Sequence, residues 1–321
     1  NLLNQSAFYL GVPGAGKSFA VKELIAFLML HPNYANDEIL ICDPEGEFGA
    51  LVKALGREKA TVAHLVAGGK DKLNSMYMVE GYGEQNPIVE KSQFVMSLIE
   101  QIDKRGVGPQ HKSIIDRCTA NVYRAFLRSK GKLAAPLLTD WRNEVLKQTD
   151  PEAREIALAA ELITEGSLNV FAHPTNVNMD SRIVVLDLYE MGEALRPTAL
   201  VVTLEAIQNR VAANRNKGKY TWVMIDEVYL YFKYHYSAEV LYRAWKRWRK
   251  YAAPLTAATQ NVEECLKSET ARLMFANSEF LLLFNQAATD RQELAKLLHL
   301  SDTQTGYIEN AEAGHGLLRM G

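Results

Sequence analysis

Cysteine is scarce in this sequence of 321 residues, and the three that occur lie far apart. Cys42, Cys118 and Cys265 are odd in number and lack the spacing of metal ligands. A disulfide framework and a cysteine zinc site are therefore not expected. Free thiols favour a reducing compartment, and we expect a cytosolic protein.

Long apolar runs are missing as well. The longest candidate, 24–30, belongs to an amphipathic helical pattern. It is much shorter than the roughly 20 apolar residues that span a bilayer. Any contact with a membrane is therefore expected to be peripheral.

The chain also lacks an excess of either charge. Lys and Arg number 36 against 38 Asp and Glu, so the formal net charge is −2. This balance gives no global attraction for nucleic acid or anionic lipid, although a local basic patch is compatible with it. Hydrophobic residues make up 48% of the sequence, which is enough for a large core.

A complete phosphate-binding loop follows the apolar run 7–10 and precedes a helical pattern. Its glycines allow main-chain N–H groups to surround phosphate oxygens, Lys17 can reach the β- and γ-phosphates, and Ser18 can offer its hydroxyl to Mg²⁺. The helix N-terminus adds a dipole that favours an anion. The residues expected to bind the nucleotide are Gly11, Pro13, Gly14, Ala15, Gly16, Lys17, Ser18 and Phe19.

Alternating strand and helix patterns predict an α/β fold on either side of a helical segment. We expect an ATPase core in 1–87 and 168–321, with an all-helical insert at 88–167. Within the insert, Asp150 before Pro151 predicts the N-cap of a helix. Predicted strands are 38–42, 183–188, 220–225, 254–258, 280–284 and 316–318, with a helix at 197–213 and a polar loop at 214–219.

The predicted strand 220–225 runs into two acids, Asp226 and Glu227. The first carboxylate can hold Mg²⁺ and the second can orient and deprotonate the water that attacks the γ-phosphate. Two strand-like runs separate the loop strand from this one. That order favours a RecA-like sheet, in which another strand lies between the two.

A signalling GTPase is the competing subclass. The run 43–46 matches the Asp-x-x-Gly pattern of those proteins, but 216–219 lacks the aspartate of their guanine-reading motif. The sequence therefore does not support GTP specificity.

Other polar residues follow predicted strands at the edge where ligands of open α/β sheets bind. Thr259 and Gln260 could face the γ-phosphate, or could be turn residues with a solvated amide. Asn285 and Gln286 follow the next predicted strand and could have the same role, but the sequence favours it less for them. Three acids after the second strand could support metal, water or a neighbouring arginine, or could be solvated; these are Asp43, Glu45 and Glu47.

The segment 242–251 contains five basic residues and four aromatics. On a helix, Trp245 and Trp248 would face inward while the bases face outward. Three interpretations stay open at this point. The bases could complement a helix dipole, donate an arginine to a neighbouring subunit, or line a groove for single-stranded nucleic acid.

Taken together, these motifs resemble the C-terminal ATPase domain of the VirB-four (TraC/TrbE-like) ATPases. The family belongs to the HerA/FtsK group of RecA-like motors. The resemblance covers nearly the whole chain and rests on the phosphate loop and the runs 41–48, 181–188, 225–227, 249–251, 259–261 and 314–318.

The resemblance implies ATP hydrolysis with Mg²⁺ by a hexamer at the cytoplasmic face of the bacterial inner membrane. It also implies partners in conjugation and type IV secretion, including membrane-complex subunits and a coupling ATPase. Direct contact with DNA is possible in such a family but is not implied by these motifs. Because the chain starts at Asn1 and enters a strand at once, we expect a domain cut from a longer protein.

The family's site residues transfer to matching positions in this chain. Lys17 and Ser18 would bind the phosphates and Mg²⁺, Asp226 the metal, and Glu227 the attacking water. Gln260 would sense the γ-phosphate.

The resemblance also implies an arginine finger supplied to the adjacent subunit. Arg249 is the expected finger, with Arg247, Arg272 and Arg291 as alternatives.

Two other functions stay open. One is a DNA translocase of the HerA/FtsK kind, which would need a basic pore loop. The other is a scaffold whose ATP occupancy only sets its assembly state.

Overall fold

The structure is a computed structural model and describes residues 6–83, 86–103, 105–130 and 132–320. Asn1, where the predicted core begins, lies outside these ranges. The chain divides into two compact units. One takes the residues up to Val62, Ser181–Val185 and those from Lys219 onward, and the other takes Ala63–Asp180 and Leu186–Gly218. The domain boundaries drawn from the sequence stay a prediction.

The strands form one eight-stranded sheet in the order β3-β4-β2-β5-β6-β1-β7-β8. Strand β6 lies between β1 and β5 and is parallel to both, as the RecA-like interpretation predicted. Strand β8 is antiparallel to β7. The strands are β1 Ala7–Leu10, β2 Glu38–Asp43, β3 Ala60–His64, β4 Ile183–Asp187, β5 Thr221–Ile225, β6 Leu255–Thr259, β7 Phe280–Leu283 and β8 Leu317–Met320.

The helices of the first unit flank this sheet. Apolar residues of α1 and α2, including Val21, Ile25 and Val52, pack with Ile39 and Met224 of the strands into a buried core. Helix α1 thereby fixes the end of the phosphate loop against the sheet. These helices are α1 Lys17–Leu30, α2 Gly49–Gly56, α8 His235–Arg247, α9 Val262–Leu266, α10 Glu269–Ala276, α11 Ala288–Leu298 and α12 Asp302–Asn310.

The second unit is mainly helical. Trp141, Tyr123 and Val145 are fully buried in it. A buried ion pair joins Lys91 to Glu205, and the lysine also donates to Tyr77 O at 2.9 Å. Its helices are α3 Pro87–Ile102, α4 Pro109–Arg128, α5 Leu138–Leu146, α6 Pro151–Thr164 and α7 Arg196–Asn216.

Asp150 is the N-cap residue of α6 and Pro151 opens the helix, as predicted, but the Asp150 carboxylate makes no capping bond and accepts a hydrogen bond from Arg117 at 2.7 Å. Other local predictions were wrong. Helix α7 extends to Asn216, so the polar loop expected at 214–219 is shorter. Strand β3 was not predicted. Within the described ranges, no helix is both long and apolar enough to cross a lipid bilayer.

Candidate functional site

The phosphate loop connects β1 to α1 within the first unit. Its start is fixed by main-chain bonds to neighbouring strands, from Gly11 N to Thr259 O at 3.4 Å and from Val12 N to Asn285 O at 2.9 Å. A Cβ on Gly11 would lie 2.7 Å from the Cβ of Phe284. The close packing therefore requires glycine at this position.

The middle of the loop turns through conformations that favour glycine. Gly14 has a φ of 76° and Gly16 has a φ of 111°. Gly16 is the N-cap of α1, and no side chain of the described residues caps this helix. The first amides of α1 are thus directed at the loop, which is the arrangement that binds phosphate.

Lys17 is buried at the start of α1. Its ammonium donates to Gly11 O at 2.8 Å and to Val12 O at 2.9 Å, so the side chain folds back over the loop. Burial lowers the pKa of Lys17, and attraction to Glu227 and Asp226 partly offsets this. The bond from Gly11 N to Thr259 O and the bond from Thr259 Oγ1 to Glu227 place the loop and the acids at the same edge of the sheet.

The two acids follow β5 at the carboxyl edge of the sheet. Asp226 N donates to Cys42 O of β2 at 3.1 Å, and both carboxylates are buried. Burial, and next the charge of Glu227, raise the pKa of Asp226 to about 8. Burial also raises the pKa of Glu227. A buried acid of this kind is a suitable partner for a cation.

The end of β6 holds Glu227 in place. Its Oε2 accepts hydrogen bonds from Thr259 Oγ1 at 3.2 Å and from Gln260 N at 3.4 Å. The backbone of Glu227 has a φ of 45°, which is unusual for a residue other than glycine and common at functional sites. The hydroxyl contact of Thr259 was missed by sequence reasoning. Gln260 itself is exposed, and its sensing role stays a prediction.

A turn after β2 brings further acids to this edge. The Asp43 carboxylate is fully buried and accepts hydrogen bonds from Glu47 N and Phe48 N, both at 3.0 Å. Glu47 lies 3.7 Å from the ammonium of Lys22. The charge of Glu47 acts on Lys17, and that of Glu45 acts on Glu227. The turn thus adds negative charge around the site.

Comparison with solved structures identifies the fold. VirB4 of Thermoanaerobacter pseudethanolicus superposes with a TM-score of 0.83 at 22% identity, over 99% of this chain and 87% of that one. The chain has the fold of VirB4. The resemblance inferred from the motifs is thereby confirmed at the level of the fold.

The plasmid coupling protein TrwB shares the VirB4-like fold less closely. Its complex with ADP and Mg²⁺ matches with a TM-score of 0.64 at 15% identity, over 98% of this chain and 82% of that one. Its complex with the ATP analogue ADPNP gives 0.65 at the same identity and coverage. No protein-family profile and no curated protein sequence matches the chain.

Asn285 and Gln286 have structural contacts in this VirB4-like fold. The Gln286 amide is buried and donates to Leu10 O at 2.7 Å and to Phe284 O at 2.9 Å. Asn285 donates to Glu309 O at 3.0 Å. These bonds tie β1 and β7 to the end of the chain, so they favour a structural role over phosphate sensing.

The candidate arginines differ in their surroundings. Arg249 is exposed in the short 3-10 helix Trp248–Tyr251, while Trp245 and Trp248 are buried, as the sequence predicted. Arg272 lies 3.5 Å from Glu293, and Arg291 lies 2.9 Å from Glu309. The assignment of Arg249 as the finger stays a prediction.

The residues fit a magnesium nucleotide. Ser18 lies in the first turn of α1, and the buried Asp226 supplies an acid with a raised pKa. Among the described residues, no group of three His, Cys, Asp or Glu could hold a metal by itself. Mg²⁺ takes few protein ligands and completes its shell with phosphate oxygens and water.

Proposed function

We propose that this chain is a Mg²⁺-dependent ATPase. The observation that carries the proposal is the geometry of the sheet edge, where Gly11 N of the phosphate loop donates to Thr259 O and Thr259 Oγ1 donates to Glu227. Some two hundred residues of sequence separate the lysine from the acids, yet the fold brings the three charges together beside an uncapped helix N-terminus. A phosphate loop, a metal-binding acid and a base are the parts that phosphoryl transfer to water requires.

Each residue has a distinct role in the proposed reaction. Lys17 exchanges the carbonyls of Gly11 and Val12 for phosphate oxygens and neutralises their charge. Mg²⁺, when held by Ser18 and Asp226, would stabilise negative charge on the β- and γ-oxygens. Glu227, oriented by Thr259, aligns the attacking water and accepts its proton. A raised pKa suits this base, because a carboxylate of higher pKa accepts a proton from the attacking water more readily.

Replacement of Lys17 tests the site. Lys17→Ala is expected to abolish ATP hydrolysis and to weaken ATP binding, because the buried positive charge is lost. Phosphate release at saturating Mg²⁺ and calorimetric binding of ATP measure the two effects. Lys296→Ala, which removes an exposed lysine of α11, is the matched control and should keep the parent rate. Hydrolysis by Lys17→Ala at the parent rate would rule out this site.

The proposed biological role is to energise type IV secretion and conjugation as a hexameric ring. The VirB4-like fold supports it, as does the likeness to a plasmid coupling protein. The protein would act at the cytoplasmic face of the bacterial cell membrane, with membrane-complex subunits and a coupling ATPase as partners. Hydrolysis would then move subunits of the ring.

A DNA translocase is the second candidate. It is favoured by the exposed basic residues Lys246, Arg249 and Lys250. Strong stimulation of hydrolysis by DNA in the hydrolysis assay above would favour it. A hydrolysis rate that DNA does not change would favour the secretion role.

A further inference from the structure

Phe19 exposes its ring immediately after the residues that would hold the phosphates. It is the third residue of α1, and 63% of its surface is accessible to solvent. Other phenylalanines of the same unit, Phe8, Phe48 and Phe275, are fully buried. Single exposed apolar residues are ordinary, so the position of this ring matters more than its exposure.

A turn at 312–316 lies against the same end of α1. Gly314 N donates to Ala15 O at 2.9 Å, and a Cβ on Gly16 would lie 2.9 Å from that nitrogen. Gly314 has a φ of 82°, and a bond from His315 N to Glu312 O closes the turn. The turn is thus fixed beside the phosphate loop, and it presents the exposed His315 there.

The direction of a bound triphosphate follows from the charges. Lys17 and the buried acids attract the γ-phosphate, so the α-phosphate and the sugar would extend from the other end of the triphosphate. The exposed aromatic residues beside the first turn of α1 are Phe19 and, on the adjoining turn, His315. A nucleobase extending from this end would therefore reach an aromatic ring instead of the charged interior.

We propose that Phe19 recognises the nucleobase by stacking, with His315 at the side of the base. This inference rests on the proposed ATPase function and assigns Phe19, which the sequence places among the nucleotide-binding residues, the specific role of holding the base. Stacking uses the face of the base and tolerates different bases. Adenine and guanine nucleotides should therefore bind with similar affinity. The affinity for inorganic tripolyphosphate, which has no base, should not depend on Phe19.

Calorimetry with Mg-ATP, Mg-GTP and Mg-tripolyphosphate tests the inference on the full chain. Phe19→Ala should weaken ATP and GTP binding by about 5- to 100-fold and leave tripolyphosphate binding unchanged. Phe19→Tyr should keep the parent affinities, and His315→Ala should cause a smaller loss for the nucleotides alone. Phe27→Ala is the matched control, because Phe27 is 50% exposed two turns further along the same helix.

Several results would overturn the inference. These are an unchanged ATP affinity in Phe19→Ala, an equal loss for tripolyphosphate, or an equal loss in Phe27→Ala. If neither ATP nor tripolyphosphate bound the parent protein, the proposed function would fail and this inference with it. The tripolyphosphate measurement therefore separates the two failures.

Discussion

Burial controls the protonation of Asp226. In an unfolded chain this carboxyl would titrate near its ordinary pKa of 3.8, whereas in the folded protein the pKa is about 8. The folded protein therefore retains a proton that the unfolded chain releases. The stabilisation from this proton is complete below pH 4 and is lost as the pH rises towards 8. Each unit of raised pKa corresponds to about 1.4 kcal/mol.

Asp226→Asn should therefore stabilise the ligand-free protein more at pH 8 than at pH 5, because the wild-type protein loses more of this stabilisation as the pH rises. The amide cannot ionise, so it avoids the cost of a buried charge. We expect the melting temperature at pH 8 to rise by at least ~2–4 °C, which corresponds to about 1 kcal/mol. Melting curves at both pH values measure this.

The matched control is Asp116→Asn, which alters an exposed aspartate of α4. It should shift the melting temperature equally at pH 5 and pH 8. If Asp226→Asn also showed equal shifts, the raised pKa would be contradicted.

At the scale of elements, the phosphate loop is held by the turn at 312–316. Gly16 and Gly14 both have positive φ, and alanine is strained at either position. The two positions differ in the space available for a side chain. A Cβ on Gly16 would meet Gly314, while no described atom lies within 4 Å of a Cβ on Gly14. The loop is thus supported at its helical end and open at its tip.

Gly16→Ala should accordingly destabilise the ligand-free protein by about 1–2 kcal/mol more than Gly14→Ala, because it adds a clash to the strain. Urea unfolding of the two variants, without nucleotide, measures the difference. Equal unfolding midpoints would mean that the turn yields to the added methyl group and does not hold the loop.

The sequence was sufficient to predict the parts of the site that are local. The phosphate loop is one continuous segment, and Asp226 with Glu227 ends an apolar strand, so each is recognisable by itself. The position of β6 between β1 and β5 was also predicted, although the count of two intervening strands missed β3. Strand β3 was not predicted, because its residues are mostly half-buried and show no apolar run.

The remaining features depend on residues that are distant in sequence. Asp150 is the N-cap residue of α6, but its carboxylate accepts a hydrogen bond from Arg117, 33 residues away, instead of capping the helix. The bond from Thr259 to Glu227 joins the ends of two neighbouring strands. The contact of Gly314 with Ala15 joins the two ends of the chain. No local pattern carries such information.

At the scale of the whole molecule, the proposed ring makes each site depend on its neighbour. In a head-to-tail ring, every interface pairs the acids of one subunit with an arginine of the next. A subunit with Arg249→Ala keeps its own base, and a subunit with Glu227→Gln keeps its arginine. Each variant alone should be inactive, because all its interfaces share one defect.

Mixing the two variants should therefore restore activity. In an equal random mixture, about a quarter of the head-to-tail interfaces combine an intact base with an intact arginine. We expect recovery of up to about that share of the parent rate, measured as phosphate release at concentrations where sizing shows assembly.

The control mixes Lys17→Ala with Glu227→Gln. Both of these defects lie in the subunit that binds the nucleotide. Every subunit of the mixture carries one of them, so every nucleotide site is defective. No interface is then complete, and no recovery is expected. Absence of recovery in the Arg249→Ala mixture at every ratio would contradict a finger donated across subunits. Arg247, Arg272 and Arg291 would then be the next candidates.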